Sequence, residues 1–456
     1  MAVEKKEIKR ILIANRGEIA LRAIRTIKKM GKEAVVVYSE ADKDALYVQL
    51  ADVAVCIGPA KSAQSYLHIP AIITAAEVTE SDAIFPGYGF LSENQNFVEI
   101  CKHHNITFIG PSVEIMEMMA DKAQAKDVMI KAKVPTVPGV EGTLRDAAHA
   151  KEAAKQIGYP VILKASAGGG GRGMRVVEDE SYVENAYLAA SSEALSAFGD
   201  GSMYIEKYIK SPRHIEVQVI ADKHGNVLHL GERDCSMQRR HQKVIEESPA
   251  IKLDDKTRAE LHKAAVRACQ YIKYENAGTL EFLADEDNNF YFMEMNTRLQ
   301  VEHCVSEMVS GVDIIEWMIK VAEGEALPKQ ESIELKGHAI EFRITAEDPV
   351  TFLPNPGKIK QYIVPGGKDV RVDSHCYTGY IIPPHYDSMI AKLICYGKDR
   401  NDAIARAKQA LSELTISGIK TTIDFHRQML ENQDFVNNKY DTKYLDAVIE
   451  ASKKNK

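Results

Sequence analysis

The chain of 456 residues contains no CxxC pair and no His/Cys spacing of a zinc site, and its seven cysteines (Cys56, Cys101, Cys235, Cys269, Cys304, Cys376 and Cys395) stand singly. That pattern excludes a disulfide framework and reads as reduced, mostly packed thiols of a cytoplasmic protein. The charged start, MAVEKKEIKR, runs straight into a short apolar strand without the core of a signal peptide. No apolar run is long enough to span a bilayer, so we expect no membrane partner. Positive charge is also in short supply. The 58 Lys and Arg are outnumbered by 65 Asp and Glu, for a formal charge of −7, whereas a general nucleic-acid binder needs the opposite balance to displace counterions. Any basic site must be local. No Gly-Lys-Ser/Thr opens a helix and no GxGxxG lies between a strand and a helix, which removes the P-loop and dinucleotide-dehydrogenase readings.

With 45% hydrophobic residues, the chain can bury a large core, and its length suggests roughly three domains. Residues 1–110 read as an open α/β domain with a parallel sheet: apolar runs (ILIA, AVVVY, VAVCIG, DAIF) alternate with helix-like stretches. Residues 111–136 read as a connector, a single helix from Ser112 to Lys133 closed by Pro135. Residues 137–209 carry helix, strand, glycine run, strand, helix and strand, a small α+β unit. From residue 210 to 456 strands dominate, with helices near 254–273, 311–323 and 401–414, so this part is mainly antiparallel with helical cover. In its first strand, His214, Glu216 and Gln218 alternate with Ile215, Val217 and Val219, which predicts half burial.

Two stretches carry most of the chemistry. In KASAGGGGRGM (Lys164–Met174) a strand delivers a lysine and then four glycines. A bare glycine run is most often a surface hairpin, but Lys164 upstream places a charge where side-chain-free backbone can approach a polyphosphate, as in a strand-loop-strand nucleotide lid. In GTLEFLADEDNNFYFMEMNTRLQVEH (278–303), alternation puts Glu294, Asn296 and Arg298 on one strand face and Met293 and Met295 on the other. A hairpin turn at Asp287 and Asn288 sets Glu281 directly across from Glu294. Two carboxylates about 5 Å apart repel by roughly 3 kcal/mol at an effective dielectric of 20, so such a pair needs a cation. Oxygen ligands from Glu281, Glu294 and Asn296 select Mg²⁺ or Mn²⁺. The run MQRRHQKVIEESP (237–249) is the local basic cluster, suited to a small anion. In HAIEFRITAED the same alternation sets Arg343 beside Glu341, which would ordinarily be a surface ion pair.

These motifs, with ANRGEIA near the start, FPGYGFLSEN, RDCSMQRRHQK, PPHYDSMIAKLICYG and GIKTT, resemble those of the biotin carboxylase subunits of bacterial acetyl-CoA carboxylase, in the ATP-grasp superfamily, over nearly the whole chain. The resemblance implies an N-terminal open parallel α/β domain, a small ATP-grasp lid and a large, mixed, mainly antiparallel C-terminal domain. It implies that Lys122, Lys164, the Gly170 and Gly171 backbone, His214 and His241 contact ATP. The segment Glu206, Lys207, Tyr208 and Ile209 would read the adenine, and Glu281 and Glu294, with Asn296, would hold the ATP-bound metal. Lys243, Arg298, Gln300 and the Val301 backbone would bind bicarbonate. Glu302 would be the general base and Arg343 would face the biotin ureido oxygen. Cys304 follows His303 where the family more often has Pro, which bears on local backbone rigidity only.

The implied partners are a biotin carboxyl carrier protein, carboxyltransferase subunits and a second copy of this chain. Biotin would be carried elsewhere, because no Met-Lys-Met of a biotinyl domain occurs among the 15 methionines. The same half-reaction could serve a pyruvate or 2-oxoglutarate carboxylase. A nucleotide-binding regulatory subunit without catalysis is the alternative from another class, and intact Glu302 and Arg343 speak against it. If the glycine run cradles phosphate, Gly171→Val raises the KM for ATP or lowers kcat at little cost in melting temperature. Normal ATP kinetics would return the loop to a plain hairpin.

Overall fold

The computed structural model describes residues 5–140, 142–166 and 173–454; the Gly170 and Gly171 expectation lies outside them. The apolar runs near the start form strands β1 (Arg10–Ile13), β2 (Glu33–Tyr38), β3 (Val53–Cys56) and β4 (Ala83–Phe85), with a short fifth strand, β5 (Thr107–Phe108). All pair in parallel, in the order β3-β2-β1-β4-β5. Helices cover both faces, so β4, and β1 after its first residue Arg10, are apolar and buried, as a doubly covered sheet requires. After β1 the chain turns sharply into the helix Gly17–Lys29. Gly17 sits at φ 71°, a conformation that a residue with a β-carbon adopts only at a cost.

The connector corrects our expectation of one helix. It forms two, Val113–Ala120 and Lys122–Lys131, broken at Asp121. Asp121 has an extended backbone, and its Oδ1 accepts a hydrogen bond from the Gln124 N–H at 2.7 Å. It is thus an N-cap that restarts the helix, as short acidic side chains do. The restart places Lys122 in the first turn and Lys126 one turn on, both lining the same cleft.

The small unit is a three-stranded antiparallel sheet, β7-β6-β8, built from β6 (Val161–Ala165), β7 (Met174–Val177) and β8 (Met203–Lys207). The helices Ala147–Ile157 and Val183–Phe198 pack on it around a separate apolar core that includes Leu163, Ala190 and Ile205. The remaining chain is organised on an eight-stranded antiparallel sheet. Its order is β13 (Phe290–Asn296), β12 (Asn276–Ala284), β9 (Arg213–Ala221), β10 (Val227–Arg239), β11 (Gln242–Ser248), β14 (His338–Thr345), then the strands Met389–Gly397 and Val370–Ser374.

Strand β9 is not half-buried as its alternation predicts; all nine residues are buried. Ile215, Val217 and Val219 join the core under the helix Asp255–Ile272. The polar face is sealed by Arg233, whose guanidinium donates to Glu216, Gln218, Thr279 and Ser306. A polar strand face can be buried when every group finds a partner, and polarity alone does not reveal that partner.

The N-terminal layer is tied to the large sheet through Glu307, on the helix His303–Ser310. Glu307 Oε1 accepts from Arg22 Nη2 and Oε2 from Arg371 Nη1, both at 2.8 Å. Burial pushes the carboxyl up, but Arg22, His303 and Arg371 outweigh it and hold it at about 2. Among the described residues all seven cysteines are unpaired and only Cys56 is exposed, and no helix is long and apolar enough to cross a membrane.

Removing one partner of a buried ion network costs about 3 kcal/mol, so Glu307→Gln should lower the apparent melting temperature at neutral pH. Because the native carboxyl is depressed, its contribution is complete above the ordinary glutamate value and fades as pH falls towards 2. The melting difference between wild type and variant should therefore narrow below about pH 4.5; a gap that is constant with pH would refute this account.

Candidate active site

One cleft, about 1350 Å³ in volume, runs between the small unit, the large sheet and the N-terminal layer. Of the residues read from sequence, Lys122, Lys164, Glu206, His214, His241, Lys243, Glu281, Glu294, Asn296, Arg298, Gln300, Val301, Glu302 and Arg343 all line it. Lys207, Tyr208 and Ile209 do not: the Lys207 ammonium is bound by the carbonyls of Gly158 and Tyr159 at 2.8 and 2.9 Å, and the Tyr208 hydroxyl bonds Lys443.

The pairing of β12 with β13 sets Glu281 opposite Glu294. A bulge follows at once: Phe282 pairs with Phe292, leaving Met293 as the extra residue. Met293 therefore lines the cleft rather than joining Met295 in the core. This corrects the simple alternation, because a bulge re-aims the side chain at the extra position. The two acids are held by different cations. Glu294 Oε2 lies 3.2 Å from Lys122 Nζ, while Glu281 accepts from Lys243 Nζ at 3.1 Å and from the amides of Asn296 and Gln300 at 2.8 Å each, and faces His214 at 3.0 Å.

The donor set fits a hard divalent cation, being carboxylates on adjacent strands that already require positive charge. Asn296 must rearrange to take part, since its amide nitrogen faces Glu281 and its Oδ1 accepts from Arg298 Nη2 at 2.8 Å.

Lys243, on β11, is the cation at the centre of a cluster of three carboxylates. Its ammonium contacts Glu216, Glu281 at 3.1 Å and Glu302 at 2.7 Å. Burial disfavours its charge, but the three carboxylates raise it well above the usual lysine range. Glu302 precedes the helix His303–Ser310 and, rather than capping it, receives Lys243 on Oε1 and Arg343 Nη2 on Oε2, the latter at 3.0 Å. Burial pushes the Glu302 carboxyl up; Lys243 and then Arg343 and Arg233 overcome this and keep it below the usual range, hence ionised at neutral pH. His214 is the reverse case: burial lowers it, yet Glu281 and Glu216 raise it to about 10, so it is an imidazolium.

Arg343 is not the surface partner of Glu341 that alternation suggests. It bonds Glu246 Oε1 at 2.6 Å and Glu302, and Glu341 is fully buried. Arg298 is aimed by Glu93 Oε2 at 2.9 Å, and Gln300 by Arg233, whose Nη2 donates to the Gln300 Oε1 at 2.5 Å.

Several site residues were not singled out in the sequence. Lys126 bridges the connector to the small unit: Lys126 and Lys164 each lie 2.7 Å from a different oxygen of Glu206. Its four-residue spacing from Lys122 on one helix was the available signal. Glu93 and Tyr88 lie within FPGYGFLSEN, and Glu216 lies on the polar face of β9. Where Pro was expected, Cys304 is fully buried, and its Sγ receives Lys392 Nζ at 3.1 Å at an ordered helix start.

Glu281→Gln and Glu294→Gln should each raise the Mg²⁺ needed for half-maximal ATP cleavage by about tenfold or more. Undiminished turnover at low Mg²⁺ in both variants would remove the metal assignment.

Family models match almost the whole chain: "Biotin carboxylase, N-terminal domain" over residues 7–116, "Carbamoyl-phosphate synthase L chain, ATP binding domain" over 121–330 and "Biotin carboxylase C-terminal domain" over 341–447. A biotin carboxylase of Nostoc sp. is 55% identical over 438 residues, covering 96% of this chain and 98% of that protein. The crystal structure of a Campylobacter jejuni biotin carboxylase in a β,γ-ATP complex is 70% identical with a TM-score of 0.93, covering 97% and 99% of the two chains. The biotin carboxylase domain dimer of Hydrogenobacter thermophilus 2-oxoglutarate carboxylase, solved with MgADP, ADP and bicarbonate, is 48% identical with a TM-score of 0.90 over 97% and 98%. With its parallel N-terminal sheet, its three-stranded antiparallel unit and an acid pair facing one cleft with a buried Glu302, this chain belongs to the biotin carboxylase family of ATP-dependent, ATP-grasp ligases.

Proposed function

We propose that the cleft binds MgATP and bicarbonate and transfers the carboxyl group to biotin presented by a separate carrier protein. The observation that carries this reading is Glu302, ionised between Lys243 and Arg343, in the same cleft as Lys122, Lys126 and Lys164. The lysines suit the phosphates of ATP. Glu281 and Glu294, joined by Asn296, would hold Mg²⁺ or Mn²⁺, which when bound neutralises charge on the phosphate oxygens.

Bicarbonate is a poor nucleophile. Lys243, Arg298, the Gln300 amide and the Val301 backbone would hold it in line, and Glu302 would take its proton. The freed oxygen attacks the γ-phosphorus, the bond to the β–γ bridging oxygen breaks, and ADP and carboxyphosphate result. Carboxyphosphate then divides into CO₂ and phosphate beside biotin. The phosphate accepts the ureido N–H proton, Arg343 stabilises the enolate-like oxygen, and the ureido nitrogen bonds to CO₂.

A separate carrier is supported by the absence of Met-Lys-Met, and the unpaired cysteines suit the reducing cytoplasm. A dimer, the form described for the Hydrogenobacter thermophilus domain, is the assembly we expect. Acetyl-CoA carboxylase in fatty-acid synthesis is the setting we favour. The 48% identity to a 2-oxoglutarate carboxylase domain supports the alternative acceptor, and the carboxyltransferase that copurifies with the chain would identify which applies.

Glu302→Gln keeps the shape and removes the base, so biotin carboxylation should fall by about 10²- to 10⁴-fold while ATP binding, measured by calorimetry, persists. Rates near those of wild type would move the base elsewhere, with Lys243 the first place to look.

A further inference from the structure

Beneath Arg343 lies an acid to which the mechanism above gives no task. Glu246 on β11 and Glu341 on β14 are direct cross-strand partners, so their side chains leave the sheet on one face with β-carbons about 5 Å apart. Both are fully buried. Glu246 Oε1 is taken by Arg343 Nε at 2.6 Å, but Glu246 Oε2 and both oxygens of Glu341 have no hydrogen-bond partner among the described residues.

The cations nearby are already committed. Arg343 is shared between Glu246 and Glu302, and Lys392 donates to the Val301 carbonyl and to Cys304 while facing Glu18 at 3.1 Å. Lys392, Arg343, Glu246 and Glu302 are the charged groups that act on Glu341. Two buried carboxylates at this spacing, only one of them bonded to a cation, would each pay for desolvation and repel the other. One proton placed between them removes both penalties, because a protonated acid donates where a carboxylate only accepts.

We propose that Glu341 is a neutral carboxylic acid that donates its hydrogen bond to the free Glu246 Oε2, and that it is a positioning residue: it fixes Glu246, and Glu246 fixes Arg343 against biotin. Burial pushes both carboxyls up, Glu246 to about 7 against the pull of Arg343 and Glu341 well above the usual range, which agrees with a single proton on the pair. The neutral acid also spares Arg343 a third anion, leaving its positive field for the ureido oxygen. The role through Arg343 rests on the function proposed above; the protonation of Glu341 does not.

The test pairs infrared spectroscopy with kinetics. At neutral pH the wild type should show the C=O stretch of a buried carboxylic acid, and Glu341→Gln should abolish it. Because an amide N–H can replace the acid as donor, Glu341→Gln should keep kcat for free biotin within about twofold. Glu341→Met, which leaves Glu246 Oε2 unsatisfied, should lower it by roughly tenfold or more with little change in the KM for ATP. Absence of the acid band in the wild type, or its survival in Glu341→Gln, would establish an ionised Glu341 and overturn the protonation. Wild-type kcat in Glu341→Met, or equal losses in the Gln and Met variants, would overturn the positioning role. Should Glu341→Met fail to fold, the band and the Glu341→Gln kinetics still decide. Arg343→Met is measured alongside: if it carboxylates biotin normally, the reading of Arg343 fails, while the infrared result still stands for Glu341.

Discussion

Lys243 is the charge on which the rest of the active site depends. Its ammonium is the common partner of Glu216, Glu281 and Glu302, which arrive from β9, β12 and the turn before the helix His303–Ser310. Without it, three buried carboxylates would face one another at low dielectric, and each would have to gain a proton or reach water. With it, the Glu302 and Glu281 carboxyls are both held below the usual range. The same contact helps explain why the central sheet tolerates so much ionisable chemistry: Glu216 and Glu302 are each balanced by a second cation as well, Arg233 under Glu216 and Arg343 beside Glu302.

Neutralisation of this kind also resolves the apparent conflict between an acidic chain and an anionic substrate. The net charge of −7 describes the whole surface, whereas the cleft gathers Lys122, Lys126, Lys164, Lys243, Arg298 and Arg343. Much of this positive charge is internally paired, as in the Lys126-Glu206-Lys164 bridge. An incoming polyphosphate therefore meets cations that are already placed, and it exchanges one set of anionic partners for another instead of ordering loose side chains.

Much of this was legible in the sequence, and the parts that were not have identifiable causes. Alternation and turn residues located the parallel sheet, the lid strands and the opposition of Glu281 to Glu294, because these depend on neighbours a few residues apart. The bulge at Met293 escaped because one extra residue leaves no compositional trace. Asp121 was read through, although a short acidic residue inside a helical pattern is a restart signal. Burial of the polar face of β9 and of Glu341 could not be read at all. It depends on Arg233, Ser306 and Lys392, which reach those strands from elsewhere in the chain. Local pattern gave the direction of a side chain, and only tertiary packing decided whether it met water.

Strand β9 has a further consequence. It lies third in an eight-stranded sheet, paired on both edges and covered on both faces, and it carries His214, Glu216 and Gln218. Its amide protons should exchange with solvent mainly when the large domain opens as a whole, whereas those of the three-stranded unit, with its own small core, should exchange through a smaller opening. On the function proposed above, the groups that would need the most exact geometry thus sit where the chain should open least often, and the unit that would admit and release nucleotide sits where opening should cost less. Accuracy and turnover would then fall to different cooperative units of one polypeptide.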